Sequence, residues 1–140
     1  MTHIILASHG NFAEGVKHAL GVILGGAADA VETYGLHPGA SAADCVLRVR
    51  ERADSSPGEQ FIVVTDIAGG SVCSEFLSLA GYPNVIILSG MNLALALEIV
   101  MNKEEVFDEG AIENAVTAAR EGIRRIDGET LRGHEKGGDF

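Results

Sequence analysis

Three short, unbroken apolar runs constrain this chain most: Ile4-Ile5-Leu6-Ala7, Phe61-Ile62-Val63-Val64 and Val85-Ile86-Ile87-Leu88. Each is short for a helix and lacks polar alternation, so each reads as a strand covered on both faces. Between them the apolar spacing turns helical. Phe12, Val16, Ala19, Leu20, Ile23 and Leu24 share one face of a helix over residues 11–24, which Gly25-Gly26 ends. Ala30 to Leu36 reads as a further strand, and Pro38-Gly39 as a loop. Ser41 and Asp44 resemble a capping box for a helix whose apolar side is Val46, Leu47, Val49 and Ala53. Helical spacing returns over residues 72–80 and over residues 93–102, the latter capped by Asn92. Ile112, Ala115, Val116, Ala119, Ile123 and Ile126 line one face of a long last helix.

Short apolar strands alternating with amphipathic helices define an α/β fold. The expected architecture is a three-layer, mainly parallel open sheet of order 2-1-3-4, with helices on both faces. The 140 residues suit a single domain over 1–140, with a polar tail after about residue 127 that is loosely ordered or partner-dependent. A net charge of −10 argues against nucleic acid, whose phosphates select basic surfaces. The first apolar run follows no basic stretch and is broken by Ser8-His9-Gly10, so it is neither a signal peptide nor a membrane span. Cys45 and Cys73 form no CxxC and read as buried thiols in a reducing compartment. A cytoplasmic location is expected.

In an open parallel sheet, ligands bind beyond the carboxyl ends of the strands, where strand order reverses. Three loops bring polar groups to such ends: Ser8-His9-Gly10-Asn11, Asp66-Ile67-Ala68-Gly69-Gly70-Ser71 and Ser89-Gly90-Met91-Asn92. A carboxylate that accepts one imidazole N–H fixes the tautomer and leaves the other nitrogen as a nucleophile. His9 and Asp66 are the candidates for that pair. Gly10, Gly69, Gly70 and Ser71 are the candidates for holding an anion, through close backbone approach, helix-start amides and a hydroxyl. Each feature also has a plainer use. A histidine after a strand can be structural, Asp66 can close a turn, and Gly69-Gly70-Ser71 can be a turn with a helix cap. His3, His18, His37 and His134 lack an acidic or glycine-rich sequence context of this kind. P-loop, dinucleotide and hydrolase-elbow motifs are absent, and no cluster suggests a metal. The sequence requires no metal and no cofactor.

These residues give the chain a resemblance to the IIA components of the mannose-family sugar phosphotransferase system. The resemblance rests on Ser8-His9-Gly10 after the first strand, Asp66-Ile67-Ala68-Gly69-Gly70-Ser71 after the third and Gly90-Met91-Asn92-Leu93 after the fourth. It implies a phosphohistidine carrier in which His9 takes a phosphoryl group from the phosphocarrier HPr and passes it to a IIB component, with Asp66 as the partner of His9. It also implies a homodimer with an antiparallel C-terminal edge strand exchanged between subunits, and membrane contact only through the IIC/IID transporter. The segment at Gly90 looks most like the branch handling galactosamine-type sugars. Val72 stands where many members have Pro, and Ile67 where some have a polar residue; neither departure touches His9 or Asp66. Two other readings are a phosphotransfer subunit of dihydroxyacetone kinase and a non-catalytic, flavodoxin-like regulatory module.

Overall fold

A computed structural model describes residues 1–103 and 107–137, with side chains described as far as residue 133. In chain order the elements are β1 (Thr2–His9), α1 (Phe12–Leu24), β2 (Glu32–Leu36), α2 (Ala43–Ser55), β3 (Gln60–Thr65), α3 (Ser71–Phe76), β4 (Val85–Leu88), α4 (Leu93–Met101), α5 (Glu109–Glu121) and α6 (Gly128–Gly137). The four strands form one sheet of order β2-β1-β3-β4, and every pairing is parallel. This is the expected order and direction.

The alternation of side chains along each strand sorts the core into two layers. Ile4, Leu6, Ile62 and Val64 point to one face, where α1, α4 and α5 cover them with Ala13, Leu20, Leu95, Ile99, Ala115 and Ala119. Ile5, Ala7, Phe61 and Val63 point to the other, beneath α2 and α3, which contribute Val46, Val49, Val72 and Phe76. Burial on both sides explains why the strands are continuous apolar runs. Each fully buried Leu, Ile, Val or Phe contributes roughly 1.5–3 kcal/mol of transfer free energy.

Several local expectations are corrected. Ser41 lies outside α2, although its hydroxyl still accepts the Ala43 N–H at 3.1 Å; Ala42 is the capping position. Leu47, Phe12 and Ile23 are exposed rather than in the core, because each lies off the buried stripe of its helix. The helix read over 72–80 ends at Phe76 and tightens into a 3₁₀ turn, Leu77–Leu79. The long last helix stops at Glu121, so Ile123 and Ile126 leave its buried face and stand exposed. The edge strand implied near the C-terminus has no counterpart among the described residues, where residues 128–137 form a helix. Residues 138–140 of the tail lie outside the described ones.

Candidate functional site

The strand order makes β1 and β3 neighbours, with the chain winding outward in opposite directions from them. Their carboxyl ends are therefore the switch point of the sheet. His9 is the last residue of β1, and Asp66 follows the last residue of β3.

Asp66 holds His9 twice. Its Oδ2 accepts the His9 backbone N–H at 2.8 Å and lies 2.7 Å from the ring Nδ1. The other oxygen, Oδ1, accepts the Ile67 N–H at 3.0 Å. Burial pushes the Asp66 carboxyl up, but hydrogen bonds from the His9 amide, the His9 ring and the Ile67 amide outweigh it and hold the carboxyl below its ordinary range. An ionised carboxylate can only accept, so Nδ1 carries the proton. The remaining nitrogen, Nε2, lies 3.1 Å from the Ser71 hydroxyl oxygen and accepts from it in the neutral ring. The His9 side chain is 46% exposed and that of Asp66 only 9%. The pair thus presents an open nucleophilic nitrogen above a shielded carboxylate.

The glycines around this pair have distinct tasks. Gly69 turns the loop at φ +78°, a region that favours glycine. A Cβ on Gly70 would sit 3.4 Å from His9 Cε1 and 3.3 Å from the Ile67 carbonyl oxygen, so Gly70 lets the loop lie against the ring. Gly10 turns the chain out of β1 at φ +53°, and its N–H bonds the Leu36 carbonyl at 2.8 Å. Ser8, fully buried, accepts the Ala13 N–H at 2.8 Å and donates to the His9 carbonyl at 3.1 Å, tying α1 to the end of β1. The third loop is stitched beside the site by the Met91 N–H, which bonds the Thr65 carbonyl at 2.9 Å. Asn92 caps α4, accepting the Leu95 N–H at 2.8 Å as expected.

One residue that shapes the site was missed by sequence reasoning. A Cβ on Gly35 would collide with the Gly10 carbonyl, so β2 must carry glycine where it passes the His9–Gly10 corner. The signal was a lone Gly inside a strand, which marks close backbone approach. His37 stands next to Gly35, with Nε2 3.6 Å from the Gly35 Cβ position. His3, by contrast, gains an acidic partner the sequence did not suggest. It lies 3.0 Å from Glu59 and stacks on Phe61 at the amino end of the sheet, far along β1 from His9. His18 is exposed, and the side chain of His134 lies outside the described ones. Cys45 and Cys73 are buried, unbridged thiols.

A cavity of about 220 Å³ lies between β2 and α2, lined by Cys45, Arg48 and Arg52 among others. His9 is not part of it but stands on the open carboxyl edge. Enclosed pockets suit small ligands, whereas an exposed reactive side chain on a rim is open to a macromolecule.

Fold and site together define a doubly wound, parallel α/β protein with a histidine–carboxylate pair at its switch point. A family model described as PTS system fructose IIA component matches residues 3–116. The chain belongs to this mannose-type family of phosphotransferase-system IIA components. It is 28% identical over 104 residues to the sorbose-specific EIIA component of Klebsiella pneumoniae, covering 74% of this chain and 76% of that one. It superposes on EIIA from Streptococcus agalactiae with a TM-score of 0.77 and 25% identity, covering 93% of this chain and 99% of that one. A IIA protein associated with the fucose utilization operon of Streptococcus pneumoniae gives 0.73 and 28%, covering 89% and 92%. Among the described residues, no helix is long and apolar enough to cross a membrane.

Proposed function

We propose that the chain is a phosphohistidine carrier that accepts a phosphoryl group from HPr on His9 and passes it to a IIB component during sugar uptake. The observation that carries this reading is the Asp66 carboxylate on His9 Nδ1, which leaves Nε2 as the unprotonated nitrogen, beside the Ser71 hydroxyl, on a side chain that is 46% exposed. In the accepting step Nε2 attacks phosphorus and forms an N–P bond. The N–P bond to the donor imidazole breaks, and its electron pair stays on the donor nitrogen. The Nδ1 proton remains on His9, where Asp66 stabilises the positive charge that the ring acquires. The onward step runs the same chemistry in reverse toward the IIB nucleophile.

Ser71 donates to Nε2 before transfer and to a phosphoryl oxygen after it. Gly10, Gly69 and Gly70 let the flanking backbone approach the phosphoryl group, so that amides of the two loops share its charge. No step requires a metal or a cofactor. The open rim suits protein donors and acceptors that present their own reactive side chain. A homodimer fits the reading too: Ile123, Ile126 and Leu131 are exposed apolar residues that a second copy would cover. A cytoplasmic setting follows from HPr as donor.

The test is transfer in both directions. With phosphoenolpyruvate, enzyme I and HPr, the chain should gain label and lose it on addition of a IIB component. His9→Ala should gain none. A His9→Ala variant that is labelled as fast as the parent would refute the assignment.

A further inference from the structure

The loops that surround His9 carry almost no charge. They join β1 to α1 (Gly10-Asn11), β2 to α2 (residues 37–42), β3 to α3 (residues 66–70) and β4 to α4 (residues 89–92). Asp66 is the one Asp, Glu, Lys or Arg in all four, although such residues make up 21% of the chain. It is turned onto His9, and its side chain is only 9% exposed. A macromolecule approaching the imidazole therefore meets glycines, small residues and exposed apolar groups. The charges that border this collar, in the first turns of α1 and α2, are acidic: Glu14 and Asp44.

Ile67 lies at the centre of the collar. It is 59% exposed, yet its backbone is fixed. Its N–H donates to Asp66 Oδ1 at 3.0 Å, and its carbonyl accepts the Gly70 N–H at 3.2 Å. That bond closes a four-residue turn whose third residue, Gly69, has φ +78°, the pattern of a type II turn. The turn carries the isoleucine to the ring. The Cβ position at Gly70 lies 3.4 Å from His9 Cε1, the carbon between the two ring nitrogens, and 3.6 Å from Ile67 Cβ. Imidazole and isoleucine thus flank Gly70 together. A single exposed apolar side chain needs no explanation by itself. This one is rigidly held, beside the reacting ring, on a surface cleared of charge. Depletion of charge is what marks the centre of a protein interface.

Resting on the relay reading above, we propose that Ile67 is a docking residue for the phosphoryl donor. It packs into an apolar patch beside the phosphohistidine of HPr, and basic residues bordering that patch face Glu14 and Asp44. An aliphatic side chain has no proton or hydrogen bond to give, so Ile67 contributes to the affinity of the encounter and not to the transfer itself. Covering the exposed part of one isoleucine is worth about tenfold in affinity.

The test compares two donors on the full chain. Phosphorylated HPr must dock, whereas phosphoramidate, a small chemical donor, reaches Nε2 without covering Ile67. With HPr, Ile67→Ser should raise the half-saturating donor concentration about tenfold and leave the plateau rate of His9 labelling within about twofold of the parent. With phosphoramidate the same variant should be labelled at the parent rate, because the contact of Ile67 with Asp66 runs through the backbone. Ile67→Leu should keep the parent affinity for HPr. Val22→Ser removes a 77% exposed apolar residue near the far end of α1 and should change neither reaction. An unchanged half-saturating concentration in Ile67→Ser overturns the inference, and so does an equal loss with phosphoramidate, which would make Ile67 part of the reacting site. If His9 of the parent takes no label from phosphorylated HPr, the relay reading itself falls, and with it this inference. If it is labelled and Ile67→Ser docks like the parent, only the role of Ile67 falls.

Discussion

One carboxylate oxygen, Asp66 Oδ2, bonds both the backbone N–H and the ring Nδ1 of His9, at 2.8 and 2.7 Å. The backbone contact fixes where the residue begins, and the ring contact fixes its tautomer and direction. Position and chemistry of the imidazole therefore depend on the same atom.

Asp66→Asn should slow phosphorylation of His9 on the order of 10²-fold or more, because an amide can offer its N–H to Nδ1 and stabilise the wrong tautomer. The fold should survive, with a loss of about 1–3 kcal/mol for backbone donors left poorly matched. Rapid-quench labelling from phosphorylated HPr and urea denaturation measure the two effects separately. Unchanged labelling would detach Asp66 from the chemistry.

The depressed Asp66 carboxyl has a consequence for acid stability. The folded-state value lies below the unfolded one, so its stabilisation is fully present above the ordinary carboxylate range and is lost as pH falls through the depressed value. Asp66→Asn should therefore narrow the stability gap between neutral pH and about pH 3 relative to the parent. Denaturation midpoints across that window check the sign; a variant that loses as much stability in acid as the parent contradicts it.

Gly35→Ala should destabilise the chain by about 2–3 kcal/mol, since the new methyl meets the Gly10 backbone and nothing flexible can move aside. The strain falls on the corner that carries His9, so labelling should slow as well. Thermal denaturation with an activity assay at a permissive temperature reads both.

Ser71→Ala removes the hydroxyl beside Nε2 from an exposed position. Labelling should fall by about tenfold, the equivalent of one hydrogen bond worth about 1.4 kcal/mol in the transition state, with little change in stability. Ser8→Ala should do the reverse. It strands the buried Ala13 N–H and costs about 1–3 kcal/mol, while leaving the His9 ring contacts in place.

How far the sequence led depended on the range of the interactions involved. β1, β3 and β4 were legible because burial on both faces writes itself as Ile4-Ile5-Leu6-Ala7 and its counterparts. The Asn92 cap was legible because its contact spans three residues. Helix ends were less so: the periodicity of Ile112 to Ala119 continues by chance into Ile123 and Ile126, which the structure leaves exposed. The pairing of His9 with Asp66 was anticipated through strand order and the family resemblance rather than any local pattern, since the residues are 57 apart. Gly35 was not anticipated: a lone Gly inside a strand signals close approach, but not that β2 passes over the Gly10 turn.

The geometry engages Nδ1 with Asp66; the proposed relay puts the phosphoryl group on Nε2, and ¹⁵N NMR of imidazole-labelled chain phosphorylated through HPr tests that most directly. The expected result is a single acid-labile phosphoryl group on Nε2 of His9, with Nδ1 still protonated and bonded. A phosphoryl group on Nδ1, on another residue, or none at all would contradict the account.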